Sequence, residues 1–310
     1  MGKVATRDAY GKALAQLGAE NENIVVLDSD LSKSTKTANF AAQFPNRFFN
    51  IGIAETDMIG TAAGLAAAGK VPFASTFAVF ATGRAYDQIR ASVAYPNLNV
   101  KIAATHAGLT VGEDGATHQM NEDIALMRAL PNMTVIVPAD GPEAAAATRY
   151  AAKYDGPVYL RLGRPGVPTV NADDYKFQPG KGSVLRDGDD LVIFACGYMV
   201  HLALEAAAEL MDEDISTAVV NIHTIKPLDT EIIVKYARRC KAVITAEEHS
   251  IIGGLGGAIA ETLGEEHPTP MIRIGVRDTF GESGKPAELV KKYGLTVENI
   301  VKAGLKLKKT

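Results

Sequence analysis

The chain has no tryptophan and only two cysteines among 310 residues. Cys196 and Cys240 each sit beside an apolar, strand-like run, and neither has a metal-type spacing. A reduced, cytoplasmic protein is therefore expected. No apolar run is long enough to span a bilayer; the stretch from Gly60 to Gly69 is apolar but short and made of small residues. The N-terminus lacks an apolar core of the secretory type, so no signal segment is expected. A basic stripe is missing too. Net charge is −4, and a nucleic-acid backbone is held through clustered Lys and Arg. The one basic cluster, Lys306, Lys308 and Lys309, suits the C-terminal end of a helix.

What is present is ordinary globular composition, 47% hydrophobic and 22% charged, and a length that suggests two domains. Apolar residues at helical spacing run from Thr6 to Leu17 and stop at Gly18. Short apolar strands follow at 24–27, 48–51, 71–75, 100–104, 134–137 and 158–162, with helices between them near 58–68, 78–95, 121–130 and 142–153. Strand and helix in alternation with short connections give a parallel sheet covered on both faces. The pattern pauses over Gly163–Gly182, a Pro- and Gly-rich stretch of linker character. It resumes with strands at 191–195, 217–222, 242–246 and 271–274 and helices at 199–211, 230–239 and 257–263. The expected architecture is α/β in two domains, each a mainly parallel sheet flanked by helices. The boundaries are 1–165 for the first domain, 166–185 for a linker and 186–310 for the second.

Three stretches carry residues suited to chemistry. Gly52-Ile53-Ala54-Glu55 places a carboxylate just beyond a strand, where ligands bind in parallel sheets, although a first-turn helix Glu has the same pattern. Phe77 and Phe80 are spaced i and i+3, on one face of the helix expected there, as core or as an aromatic wall for a flat heterocycle. The polar loop from Thr105 to Gln119 holds His106, Glu113, Asp114 and His118, too little apolar surface for a core and more than a bare connection needs. A metal on His106, Glu113 and His118 is conceivable, but the spacing matches no zinc pattern. The glycines from Gly253 to Gly257 lack the third glycine of a dinucleotide loop.

In this order and spacing the three stretches resemble the pyrimidine-binding module of the transketolase family. The most specific part is Gly112-Glu113-Asp114-Gly115-Ala116-Thr117-His118-Gln119. The resemblance continues through Asn221-Ile222-His223-Thr224-Ile225-Lys226-Pro227-Leu228-Asp229, then Glu247-Glu248-His249-Ser250, then Gly281-Glu282-Ser283-Gly284, and so covers nearly the whole chain. It implies thiamine diphosphate as cofactor, with Glu55 holding a proton at ring N1′ so that the cofactor's own amino group can work as a base. It implies Phe77 and Phe80 as the wall against the pyrimidine. Arg7, Ser34, His106 and Arg164 resemble the groups that hold a sugar phosphate. Asp114 resembles the group that reads a donor hydroxyl, and His118 a proton-handling group near the carbonyl. Five positions depart from the family pattern: Gly83 and Arg84 stand where a third aromatic is common, Ala116 where proline is, and Thr56 and Asp57 after the glutamate are less usual.

The Gly-Asp-Gly element that binds the diphosphate through a cation in such enzymes does not occur in this sequence; the nearest string, Gly188-Asp189-Asp190, reads as a turn. The resemblance therefore implies a subunit that works with a second chain bearing the diphosphate site and the ligands for Mg²⁺. The expected assembly is an α2β2 heterotetramer that moves two-carbon ketol units in pentose phosphate chemistry. The alternatives are the β subunit of a 2-oxo acid dehydrogenase, a deoxyxylulose-phosphate synthase-like protein, to which Arg84-Ala85-Tyr86-Asp87-Gln88 is similar, and a degenerate α/β scaffold.

Overall fold

The computed structural model describes residues 2–172 and 175–308. Lys309 of the terminal basic cluster, and Asp173 and Asp174 of the expected linker, lie outside the described residues.

The strands are β1 (Val4–Ala5), β2 (Ile24–Asp28), β3 (Phe48–Asn50), β4 (Val71–Phe77), β5 (Lys101–Thr105), β6 (Thr134–Ile136), β7 (Val158–Arg161), β8 (Gly166–Val167), β9 (Ser183–Arg186), β10 (Leu191–Ala195), β11 (Thr217–Asn221), β12 (Thr224–Lys226), β13 (Val243–Ser250) and β14 (Met271–Val276). Seven form one sheet in the order β12-β6-β7-β5-β4-β2-β3, and five form a second in the order β14-β13-β10-β11-β9. All pairings in the two sheets are parallel except the edge strands β12 and β9. Every residue of β2, β5, β7, β10 and β11 is buried. That is why these segments read as continuous apolar runs rather than as alternating ones. The α/β, two-sheet architecture expected from the sequence is the one observed.

Register brings the C-terminal ends of the first sheet's central strands together. Asp28 of β2 lies beside Asn50 of β3 and Ser75 of β4, and Phe77 of β4 lies beside Thr105 of β5. Ligands bind outside such strand ends in open parallel sheets.

Two sequence expectations change. The continuous helix over 78–95 is interrupted: wide, π-type turns at Phe80–Arg84 and Ile89–Ala94 flank a short α-turn, Tyr86–Gln88. The Thr82 hydroxyl donates to the Ala78 carbonyl at 2.8 Å and Gly83 follows, both of which loosen a helix. β4 runs on to Phe77, so Phe77 and Phe80 do not share a helical face; Phe77 ends a strand and Phe80 opens the turn after it.

The two halves are joined by more than a linker. β12, from the C-terminal half of the chain, is the edge strand of the first sheet, antiparallel to β6, and the Val137 amide donates to the His223 carbonyl at 2.7 Å. The linker is pinned as well. β8 pairs with β1, and the Asp140 carboxylate accepts from the Val170 and Asn171 amides, each at 2.9 Å. One hydrophobic cluster runs from Val25 and Met58 through Tyr159 to Phe194 and Leu263, so the two sheets share a core.

Candidate active site

Glu55 opens the helix Glu55–Ala67 and is 4% exposed. Its helix follows the left-handed Gly52 (φ 77°), which turns the chain after β3. Both oxygens of the carboxylate face Arg84, whose Nη1 lies 3.4 Å from each. The Arg84 guanidinium also covers the Phe80 ring, 4.2 Å from its centroid, within cation–π range.

Phe80 stacks on Phe77 with centroids 5.8 Å apart and planes 12° apart. Phe77 in turn stacks on the His106 imidazole at 3.8 Å, and His118 meets Phe80 edge-on at 5.3 Å. The two phenylalanines are thus neighbours through a strand end and a turn, and with the two histidines they form one continuous aromatic surface.

His106 follows the last residue of β5 with a positive φ of 57°, an uncommon backbone for a non-glycine residue. Its Nε2 lies 3.0 Å from Arg7 Nη1 and its Nδ1 lies 2.8 Å from Thr105 Oγ1. Burial, then the charges of Arg7, Arg164 and Lys36, push its pKa down to about 3, so the ring is neutral. Arg7 is itself lowered, first by burial and also by Arg164. Two guanidinium groups converging on one neutral imidazole are a ready receptor for a dianion.

Ser34 enters this cluster through its backbone: Arg7 Nη1 donates to the Ser34 carbonyl at 3.0 Å. Asp28 shapes the segment that carries it, accepting from the Leu31 amide at 2.6 Å and from the Thr35 and Thr37 hydroxyls at 2.7 and 2.8 Å. Arg164 donates to the Val111 carbonyl and to Glu113 at 3.1 Å. Asp114 is exposed at the end of the turn Leu109–Asp114. Among the described residues no group of three or more His, Cys, Asp or Glu could hold a metal ion, which removes the grouping of His106, Glu113 and His118.

The C-terminal motifs converge on the same loop. The Glu248 carboxylate accepts from the Thr110 amide at 2.6 Å, and a Cβ on the left-handed Gly108 would collide with that carboxylate. Gln119 Nε2 reaches the Leu109, Gly112 and Glu282 carbonyls at 3.3, 3.2 and 2.9 Å. A side chain at Gly281 would strike Gln119, and one at Gly115 would strike Ser283. The glycine-rich strings at both ends are therefore contact points between the loop and the second domain. Behind them Arg161 binds Asp123 through Nε at 2.7 Å and reaches the Glu248 carbonyl at 2.9 Å. Glu247 caps the helix Leu255–Glu266, accepting from the Leu255 and Gly256 amides at 2.7 and 2.8 Å. Its own carboxylate thus fills the place a phosphate takes in a dinucleotide loop.

Sequence reasoning passed over Arg84 and Glu248 as site residues. Arg84 was legible as an interruption of an aromatic pattern and as the first residue of Arg84-Ala85-Tyr86-Asp87-Gln88. The spacing of Phe80 and Arg84, i and i+4, was the available signal. Nothing local connects Glu248 with a loop 138 residues earlier.

Comparison with known proteins finds two family models on the chain, "Transketolase, pyrimidine binding domain" over residues 2–169 and "Transketolase, C-terminal domain" over residues 180–300. The chain is 54% identical to the "Putative transketolase C-terminal section" of Methanocaldococcus jannaschii, over 96% of this chain and 94% of that one. It is 45% identical to the 6-deoxy-6-sulfo-D-fructose transketolase subunit SqwH of a Clostridium strain, over 96% and 92%. A solved structure described as a split gene transketolase, inactive β4 tetramer, superposes with a TM-score of 0.91 at 56% identity, over 99% of this chain and 98% of that one.

Proposed function

The chain belongs to the transketolase family, among its split-gene C-terminal sections, and from that premise we propose that it provides the pyrimidine-side half of an enzyme transferring two-carbon ketol units between phosphorylated sugars. The observation that carries the reading is the buried Glu55 carboxylate joined through Arg84 to the Phe77–Phe80 stack, with His106 stacked on Phe77 and held by Arg7.

The residues fit thiamine diphosphate. A buried acid next to parallel aromatic rings suits a flat, protonatable heterocycle, as hydrogen-bonding carboxyl and apolar face together. When bound, the cofactor supplies the nucleophilic carbon that accepts the ketol unit. Glu55 holds the proton at ring N1′. Phe77 and Phe80 seat the ring and keep water from it. His106, neutral through the physiological range, and Arg7 with Arg164 bind the phosphate of the sugar. His118 handles a proton at the substrate carbonyl, and Asp114 reads a donor hydroxyl.

The diphosphate end and Mg²⁺ fall to a second chain type, in an α2β2 assembly working in the cytoplasm. Support comes from the missing Gly-Asp-Gly element and from the similar solved protein, whose tetramer of a single chain type is described as inactive. Ile53, two residues before Glu55, is 77% exposed, an apolar side chain that a second chain can cover. The cationic cluster at His106 favours sugar phosphates over 2-oxo acids. Relatives are named for 6-deoxy-6-sulfo-D-fructose and for apulose 4-phosphate, and both sugars belong among the donors to be assayed.

The test is reconstitution. The purified chain alone should show no ketol transfer. Co-expression with the partner should restore it in the presence of thiamine diphosphate and Mg²⁺. Glu55→Ala in the assembled enzyme should abolish turnover while leaving the two chains folded and assembled. Robust activity of the lone chain, or near-normal turnover of the variant, would sink the reading.

A further inference from the structure

We propose that Arg84 competes with the cofactor for Glu55, so that release of Arg84 and seating of the pyrimidine are a single event. The inference rests on the assignment of Glu55 to the pyrimidine. A guanidinium is planar and delocalised, with N–H donors along its edge and a face that stacks on aromatic rings. A protonated aminopyrimidine offers the same two features. Arg84 uses both, its Nη1 on the two Glu55 oxygens at 3.4 Å and its face on Phe80 at 4.2 Å. It therefore takes up the hydrogen-bonding group and one aromatic face that the heterocycle needs.

The two partners differ in freedom. The Arg84 side chain is 54% exposed and that of Glu55 only 5%. Glu55 is fixed on its helix, whereas Arg84 can swing out, and the neighbouring Gly83 leaves the space beside it open. The contact is longer than a tight charge-assisted hydrogen bond. It is enough to spare a buried carboxylate from standing unpaired and weak enough to be displaced. The interrupted helix contributes: the wide turn Phe80–Arg84 carries the ring at its start and the guanidinium at its end on the same side.

Linkage fixes the sign. A contact made only in the cofactor-free enzyme stabilises that form. Removing it must lower the stability of that form and tighten cofactor binding by an equal factor. A residue that merely held the fold would lower stability without tightening binding, and one that gripped the cofactor would weaken binding when removed.

The experiment is calorimetric titration of thiamine diphosphate into the assembled two-chain enzyme at fixed Mg²⁺, with melting curves of the free and loaded forms. Arg84→Gln should lower Kd about threefold to tenfold, the range for a contact of this type. It should lower the melting temperature of the free form and not that of the loaded form. Arg84→Lys, which keeps the charge but loses the planar face, should bind more tightly than wild type and less tightly than Arg84→Gln; it stands in if Arg84→Gln fails to assemble. An unchanged or raised Kd in both variants overturns the competition. If Glu55→Ala is inactive in the same assembly, that result overturns Arg84's role alone; if Glu55→Ala retains normal turnover, the reading of Glu55 itself fails.

Discussion

Arg7 Nη1 donates to His106 Nε2 across 3.0 Å. A guanidinium has no acceptor, so Nε2 carries the lone pair and the proton of the neutral ring sits on Nδ1, facing Thr105 Oγ1 at 2.8 Å. With a pKa near 3, below the usual 6.5 of a histidine, the ring should show one tautomer and no titration between pH 8 and 5 in ¹⁵N-resolved spectra. The sign for stability follows from linkage. The unfolded chain takes up a proton at 6.5 that the folded chain refuses until about 3. The contribution is therefore complete above pH 6.5 and is lost as pH falls towards 3. His223, pushed by burial to about 4, acts in the same direction. His106→Asn should flatten part of this acid limb in urea denaturation, leaving the part due to His223.

Glu248 should behave in the opposite sense. Burial raises its pKa to about 7, against the pull of Arg161 and the Thr110 amide, with Asp123 adding to the rise. Its contribution is fully present below the ordinary value of 4.5 and is lost as pH rises through about 7. Glu248→Gln should remove that falling limb from urea denaturation curves measured between pH 5 and 8.

Gly108 tests the bracing of the loop from its other side. A side chain there meets both an unfavourable backbone, φ 79°, and the Glu248 carboxylate. Gly108→Ala should cost about 2–4 kcal/mol of stability, read from urea midpoints. It should also raise KM, because the turn bearing Asp114 shifts.

Asp123 and Arg161 are both buried, 0% and 6% exposed at their side chains, with the arginine holding Asp123 below its usual range in spite of burial. Asp123→Ala leaves a buried guanidinium without its partner. The expected loss is about 3–5 kcal/mol, visible as a large fall in melting temperature. Asp123→Asn should lose less, because it keeps one hydrogen bond.

Removing either phosphate-side arginine should act on binding more than on turnover. Arg7→Ala and Arg164→Ala should each raise KM for a phosphorylated donor about 10- to 100-fold, the scale of a lost charge-assisted hydrogen bond. The rate with an unphosphorylated ketose should change little. A loss shared equally by both substrates would assign the arginines to the fold instead.

Much of the fold was legible because it is locally encoded. Leu191–Ala195 reads as a strand from its apolar run alone and is one. The helix Gly141–Lys153 reads as one from its Pro and Ala residues, and in the structure Asp140 caps it, accepting from the Glu143 amide. Glu55, His106 and the Gly112–Gln119 loop stood out because polar residues follow apolar strands where a core has no use for them. Phe77 and Phe80 came through as a pair, but for the wrong reason. An i, i+3 spacing assumes a helix, and β4 extends to Phe77 because its pairing with Thr105 of β5 prevails over the local preference.

The sequence alone thus determined the family and the two-sheet architecture, since periodicity and motif are properties of short windows. Tertiary structure decided the rest: that β12 crosses to the other domain's sheet, that Glu248 grips Thr110, and that Arg84 rather than a third aromatic faces Glu55. Each of these joins residues far apart in the chain through a hydrogen bond or a stacked ring. Such a contact is selected by the packing of whole elements, which no window of sequence contains.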